Sequence, residues 1–123
     1  MITEDYVSFE VAQLLKEKGF DSPCMGRYSV RSKEFHLDCT RMCSNGGLFE
    51  CAAPSQAMAM KWLREEKRTS IIIEFDLTKR GYCPYVHQLD YDMDWVVKWR
   101  VNTPMKYEEA VEAALKYVLE NLI

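Results

Sequence analysis

The chain has 123 residues, 16 Lys and Arg against 19 Asp and Glu, a formal net charge of −3 and 48% hydrophobic residues. A chain of this size buries about two-thirds of its unfolded surface, enough for a core without disulfides or a metal. It is too apolar for disorder, too acidic for a protein whose main partner is a phosphate backbone, and has no apolar run near the ~20 residues of a membrane span.

The length points to one domain over residues 1–123. The N-terminus, Met1-Ile2-Thr3-Glu4-Asp5, lacks the basic and apolar blocks of a signal peptide. Five cysteines (Cys24, Cys39, Cys43, Cys51, Cys83) are an odd number and read as reduced thiols, several of them buried. A cytoplasmic location is therefore expected.

The first helix is fully punctuated. Ser8 is an N-cap, Val7 can staple against Ala12, and Val11, Leu14 and Leu15 form an apolar stripe. Gly19 supplies a left-handed C′ residue and Phe20 folds back on Leu15, so the pattern predicts a helix over about residues 8–18. Residues 21–53 have no helical period. Arg27–Arg31 and Glu34–Asp38 alternate polar and apolar across a Ser32-Lys33 break, a predicted hairpin. Asn45-Gly46-Gly47 reads as a second tight turn needing positive φ, followed by a short strand over Leu48–Cys51.

The second helix is predicted to open at Pro54, with Ala57, Met58, Met60, Trp62 and Leu63 apolar and Arg64–Arg68 leading out to solvent. Ile71, Ile73, Phe75 and Leu77 then alternate with acids, a period-2 strand. Thr78–Gly81 is a turn, and Tyr82–Leu89 returns, with Pro84 predicting an edge or a bulge. Trp95, Val97, Trp99 and Val101 are expected on one face of a third strand, opposite Lys98 and Arg100. In the last helix Tyr107, Ala110, Val111, Ala114, Leu115, Val118, Leu119 and Leu122 follow the i, i+3, i+4 template, with Thr103-Pro104 as its expected start. The order α-β-β-(β)-α-β-β-β-α predicts an α+β domain with helices packed on antiparallel sheet. The expected core joins Leu14, Leu15, Trp62, Leu63, Ile71, Ile73, Phe75, Trp95, Val97, Val111, Leu115 and Val118. The five glycines, at 19, 26, 46, 47 and 81, read as turn or cap positions.

Three stretches, Tyr6–Phe20 (YVSFEVAQLLKEKGF), Ala53–Glu65 (APSQAMAMKWLRE) and Tyr107–Ile123 (YEEAVEAALKYVLENLI), resemble a family of small uncharacterised bacterial proteins, often encoded in phage or other mobile elements. The resemblance covers the three helices, implies a compact intracellular domain, and carries no catalytic residues. Lys106 stands where family members often have Ser, Thr or Asp.

No motif assigns an activity. His36, Cys39, Cys43 and Cys51 are four N/S ligand types in one meander, but their spacing is not the paired C-x2-C of zinc knuckles, so they are read as ordinary side chains. No metal, cofactor or known small molecule is expected. His36 and His87 lack a cysteine-enzyme context. Asp90, Asp92 and Asp94 alternate as at the start of a calcium loop, yet Trp95 and Val101 hold its Gly and Glu positions. Residues 54–122 run α-β-β-β-α, the order of double-stranded-RNA-binding domains. Glu108 and Glu109 open the helix that would face RNA, so nucleic acid is disfavoured as a partner. The excess of Trp and Tyr points to a non-enzymatic protein-interaction module that binds a protein partner or itself. The alternative is a nucleic-acid-associated accessory protein of a phage or mobile element. Tyr82, Tyr85 and Tyr91 mark the expected interaction surface.

Overall fold

A computed structural model describes residues 2–123. Within them lie three helices and two three-stranded antiparallel sheets, in the order α1 (Phe9–Glu17), β1 (Gly26–Ser29), β2 (Phe35–Leu37), β3 (Glu50–Ala52), α2 (Gln56–Glu66), β4 (Thr69–Asp76), β5 (Gly81–Leu89), β6 (Trp95–Arg100) and α3 (Tyr107–Asn121). The fold is α+β, as the patterning predicts. The chain divides into two compact units, Met1–Ala59 and Met60–Ile123, and α2 runs across the boundary.

In the first unit, α1 starts and stops as its sequence dictates. The Ser8 hydroxyl accepts from the Val11 N–H, and Val7 and Ala12 are buried together at the staple positions. Gly19 takes φ 91°, while the Gly19 and Phe20 N–H groups donate to the Lys16 and Leu15 carbonyls. Those two bonds are the Schellman pattern. The sheet order is β2-β1-β3, with Arg27 opposite His36 on one side and Ala52 on the other. One face carries Tyr28 and Phe35, whose rings meet each other and those of Phe9 and Tyr6. Arg27 lies on the other face, buried, bonded to Asp38, Glu50 and the Arg41 carbonyl.

Three expectations in this unit are corrected. Neither Gly46 nor Gly47 takes a positive φ. The turn is instead held by Asn45, whose amide donates to the Phe20 carbonyl and accepts from the Ala52 N–H. Gly26 is not a turn residue: it lies inside β1, where a Cβ would meet the Ala53 carbonyl oxygen at 2.6 Å. The helix at Pro54 starts later, because Ser55 is the residue whose hydroxyl accepts from the Met58 N–H and whose carbonyl accepts from Ala59.

In the second unit β5 is the central strand of β4-β5-β6. Of the edge or bulge expected from Pro84, the edge is not found, while the β5–β6 ladder does carry a bulge, between Val86 and His87. The Pro84 carbonyl accepts from Val101 N–H, beyond the end of β6. A residue's N and O point to the same side in an antiparallel ladder. Pro84 thus faces Val101, and its missing donor leaves unmade only the return bond of that pair, just past the end of β6. Helix α3 covers one face of the sheet, burying Ala110, Val111, Ala114, Leu115, Val118 and Leu119. Its N-cap is Lys106, which makes no side-chain cap bond. Thr103-Pro104 therefore precedes the helix by several residues. Pro104 instead packs beside Gly81, whose added Cβ would meet Pro104 at 2.5 Å.

The predicted core is buried at Leu15, Trp62, Leu63, Ile71, Val111, Leu115 and Val118, and half-buried at Leu14 and Ile73. Phe75, Trp95 and Val97 are exposed instead. Phe75 lies at the sheet end beside Tyr82, which touches Tyr107 at the first turn of α3. A bulge in β6 turns Trp95 and Val97 to the face away from α3, and Val96, on the α3 side, is also exposed.

Candidate interaction surface

Strand register decides which β4–β6 side chains meet α3. Val86 opposes Ile71 and Trp99, and Trp99 stacks on Tyr117 of α3 with centroids 4.7 Å apart and planes 11° apart. That row therefore faces the helix. One step along, His87 opposes Val97 rather than Lys98. Lys98 is an extra residue in the ladder, and a bulge of this kind reverses the phase of the strand beyond it.

The face away from α3 thus collects Ile72 from β4, Tyr85, His87 and Leu89 from β5, and Trp95 and Val97 from β6. Trp95 is 53% exposed and Val97 49%. Arg100 lies over the Tyr85 ring at 4.4 Å, and Tyr85 meets His87 edge-on at 5.2 Å. Glu74, also on this face by alternation along β4, sits toward the opposite edge from Arg100. One sheet face thus presents an apolar and aromatic centre between an acidic and a basic flank.

The three tyrosines singled out from sequence do not share one face. Tyr85 lies on this surface. Tyr82 lies on the α3 side, against Phe75 and Tyr107. Tyr91 is fully exposed in the turn after β5. That turn is ordered by Asp90, whose Oδ1 accepts from the Asp92 and Asp94 N–H groups while Met93 takes φ 65°. The carboxylate is thereby committed to the backbone. Trp95 and Val97 read as core from the alternation alone, because Pro84 signals a bulge without placing it at Lys98.

In the first unit Leu48 and Phe49 are exposed at 83% and 80%. A cavity of about 160 Å³ is lined by Tyr6, Cys24, Met25, Met42, Pro54 and Met58, among others. Of the histidine and cysteines considered as ligands, His36 and Cys39 are exposed while Cys43 and Cys51 are buried. Among the described residues no three His, Cys, Asp or Glu side chains are grouped to hold a metal ion. Burial pushes the thiols of Cys24, Cys43 and Cys51 up, Cys24 to about 11. No helix among the described residues is long and apolar enough to cross a membrane. Comparison with models of known families, with curated proteins and with solved structures returns no match.

Proposed function

We propose that this chain is a non-enzymatic interaction module whose partner is a second copy, docked on the open face of β4-β5-β6. The observation that carries the reading is the placement of exposed Trp95 and Val97 beside Ile72, Tyr85 and Leu89. Large aromatic side chains at the centre of a contact patch are a common signature of interfaces.

Charge selects the arrangement. The face is acidic at β4 through Glu74 and basic at β6 through Arg100. A twofold axis running along β5 lays β4 of one copy over β6 of the other, bringing each Glu74 toward the opposing Arg100. An axis across the strands would set like charges together. Sheets packed face to face lie about 10 Å apart, within reach of these long side chains. A face three strands wide, at about 4.8 Å per strand, offers less than the ~800 Å² per partner of a standard interface. Association is therefore weak and reversible.

Sedimentation equilibrium across a concentration series tests this. A dimer at micromolar to high-micromolar concentration is expected. Arg100→Glu or Glu74→Arg alone should weaken it, and the double exchange should restore it. A strict monomer throughout overturns the reading. If that monomer also bound DNA or RNA with affinity falling as salt rises, the nucleic-acid alternative would take its place.

A further inference from the structure

Two of the five cysteines face each other across a backbone bridge. The Cys24 N–H donates to the Cys43 carbonyl at 2.8 Å, and the Cys43 N–H donates back to the Cys24 carbonyl at 2.7 Å. Residues that exchange both bonds in an antiparallel pair have Cα atoms about 5.5 Å apart. A disulfide spans about 4.4–6.8 Å between Cα atoms and about 3.5–4.5 Å between Cβ atoms. A hydrogen-bonded pair lies at the wide end of the roughly 4.5–5.5 Å Cβ range of opposed residues, so closure must draw the two segments together locally. Side chains of directly opposed residues also project to the same side. Both cysteines are reduced.

We propose that Cys24 and Cys43 form a redox modification site that a low-molecular-weight aliphatic disulfide, of the glutathione class, converts to an intramolecular disulfide. Access assigns the order of events. Cys24 lines the surface cavity beside Met25 and Met42, whose side chains are exposed. The Cys43 thiol is buried to the same degree, is not among the residues lining that cavity, and lies 3.6 Å from a Glu50 carboxylate oxygen. The Cys24 thiolate, a small fraction of the whole because burial raises this thiol, attacks one sulfur of the small disulfide, so the step quickens as pH rises. The S–S bond of the reagent breaks, a mixed disulfide forms on Cys24, and one small thiolate leaves. The Cys43 thiolate then attacks the Cys24 sulfur and displaces the second small thiolate. The two protons lost by the protein end on the two released thiols. Protein thiols are oxidised by two electrons and the reagent is reduced by two.

The bond would have a structural consequence. The segment from Asp38 to Glu50 supplies Asp38, the Arg41 carbonyl and Glu50 to the buried Arg27. At residue 43 two backbone hydrogen bonds tie it to residue 24. Oxidation adds a covalent clip there, which restricts the unfolded chain and fixes one wall of the cavity. Cys51 opposes Tyr28, and Cys83 opposes Glu74 in the other unit, so neither has a cysteine directly across from it.

The test is incubation of the native chain with oxidised glutathione, followed by denaturation, alkylation and peptide mapping. The expected product has lost two hydrogens in mass and two of its five titratable thiols, with a single Cys24–Cys43 crosslinked peptide and a raised denaturation midpoint. Cys39→Ser should leave this unchanged, and Cys43→Ala should trap glutathione on Cys24. All five thiols surviving, a lasting glutathione adduct on the unsubstituted chain, or a crosslink through Cys39 or Cys51 would each overturn the proposal. Because mapping is done on the natural sequence, the result does not depend on a variant folding.

Discussion

Trp99 and Val97 stand two residues apart in one strand yet point to opposite faces of the sheet. Trp99 pairs with Val86 and stacks on Tyr117, while Val97 pairs with His87 on the face away from α3. In a regular strand side chains two residues apart share a face. The inserted Lys98 breaks that rule, and it decides which tryptophan is structural and which is left for contact.

This separates two tryptophans of similar sequence context. Trp99→Ala should cost about 2–3 kcal/mol, since a half-buried ring and its stacking are lost. Trp95→Ala should stay within about 0.5 kcal/mol, as surface substitutions do. Urea unfolding at low protein concentration, where no dimer forms, measures both. Equal costs would place Trp95 and Trp99 on one face and remove the bulge from the account.

Glycine substitutions should sort by space rather than by turn. At Gly26 a Cβ would meet the Ala53 carbonyl oxygen at 2.6 Å, and backbone cannot swing aside as a flexible side chain can. Gly26→Ala should destabilise by about 1–3 kcal/mol, the range for overpacking. At Gly47 nothing lies within 4 Å and φ is not positive. Gly47→Ala should be neutral or slightly stabilising through the unfolded chain. Denaturation midpoints of the two variants give the comparison.

Local signals were the legible ones. The α1 caps and the α3 period depend on residues within five positions of each other, and each appears where the pattern put it. The β1–β2 hairpin and the return of β5 on β4 were legible from the turns between them, whereas the pairing of β3 with β1 was not, because it depends on which distant backbone a strand meets. Pro84 sits in a central strand opposite Val101, just past the end of β6, where its missing N–H costs a single return bond. Gly26 looks like a turn residue until the Ala53 carbonyl is seen against it. The Cys24–Cys43 bridge joins residues with no shared pattern. In the open sheet face, Tyr85 was legible as a surface aromatic and is half-buried, whereas Trp95 and Val97 were hidden because nothing places the bulge at Lys98.

The α3 periodicity carries its own quantitative check. Leu115 is fully buried on the helix face that covers the sheet. Leu115→Ala should cost about 2–5 kcal/mol, the transfer term plus the cavity left behind. A cost under about 0.5 kcal/mol would mean that the site refills or that α3 packs by another face.

The start of α3 can be improved. Lys106 occupies the N-cap with φ −65° and ψ 154°, the geometry of a capping residue, but makes no side-chain bond to the helix. Its cation also sits at the positive end of the helix dipole. Lys106→Ser would place a hydroxyl there and complete a Ser-x-x-Glu box with Glu109. A gain of about 0.5–1.5 kcal/mol is expected, seen as a higher melting temperature. No gain would show that the first turn of α3 frays regardless of its cap.

Acid should loosen the Arg27 cluster through Asp38. Its carboxylate accepts from the Thr40 hydroxyl at 2.6 Å and the Thr40 N–H at 2.9 Å, and it pairs with Arg27 at 3.3 Å. The Thr40 bonds first, and Arg27 after them, hold the carboxyl below its ordinary range. A folded-state pKa lower than the unfolded one stabilises the fold above the unfolded value, about 3.9. That contribution disappears as pH falls through the lower folded value. Asp38→Asn should therefore be less stable than the natural chain at neutral pH, and the gap between them should close as the solution is acidified. Because Asp38 is open to solvent on one side, the gap should also narrow in high salt. Urea midpoints of both chains, measured from pH 7 down to strongly acidic solution, decide the matter: a gap that stays constant with pH would mean that Asp38 acts through its shape and neutral hydrogen bonds, not through its charge.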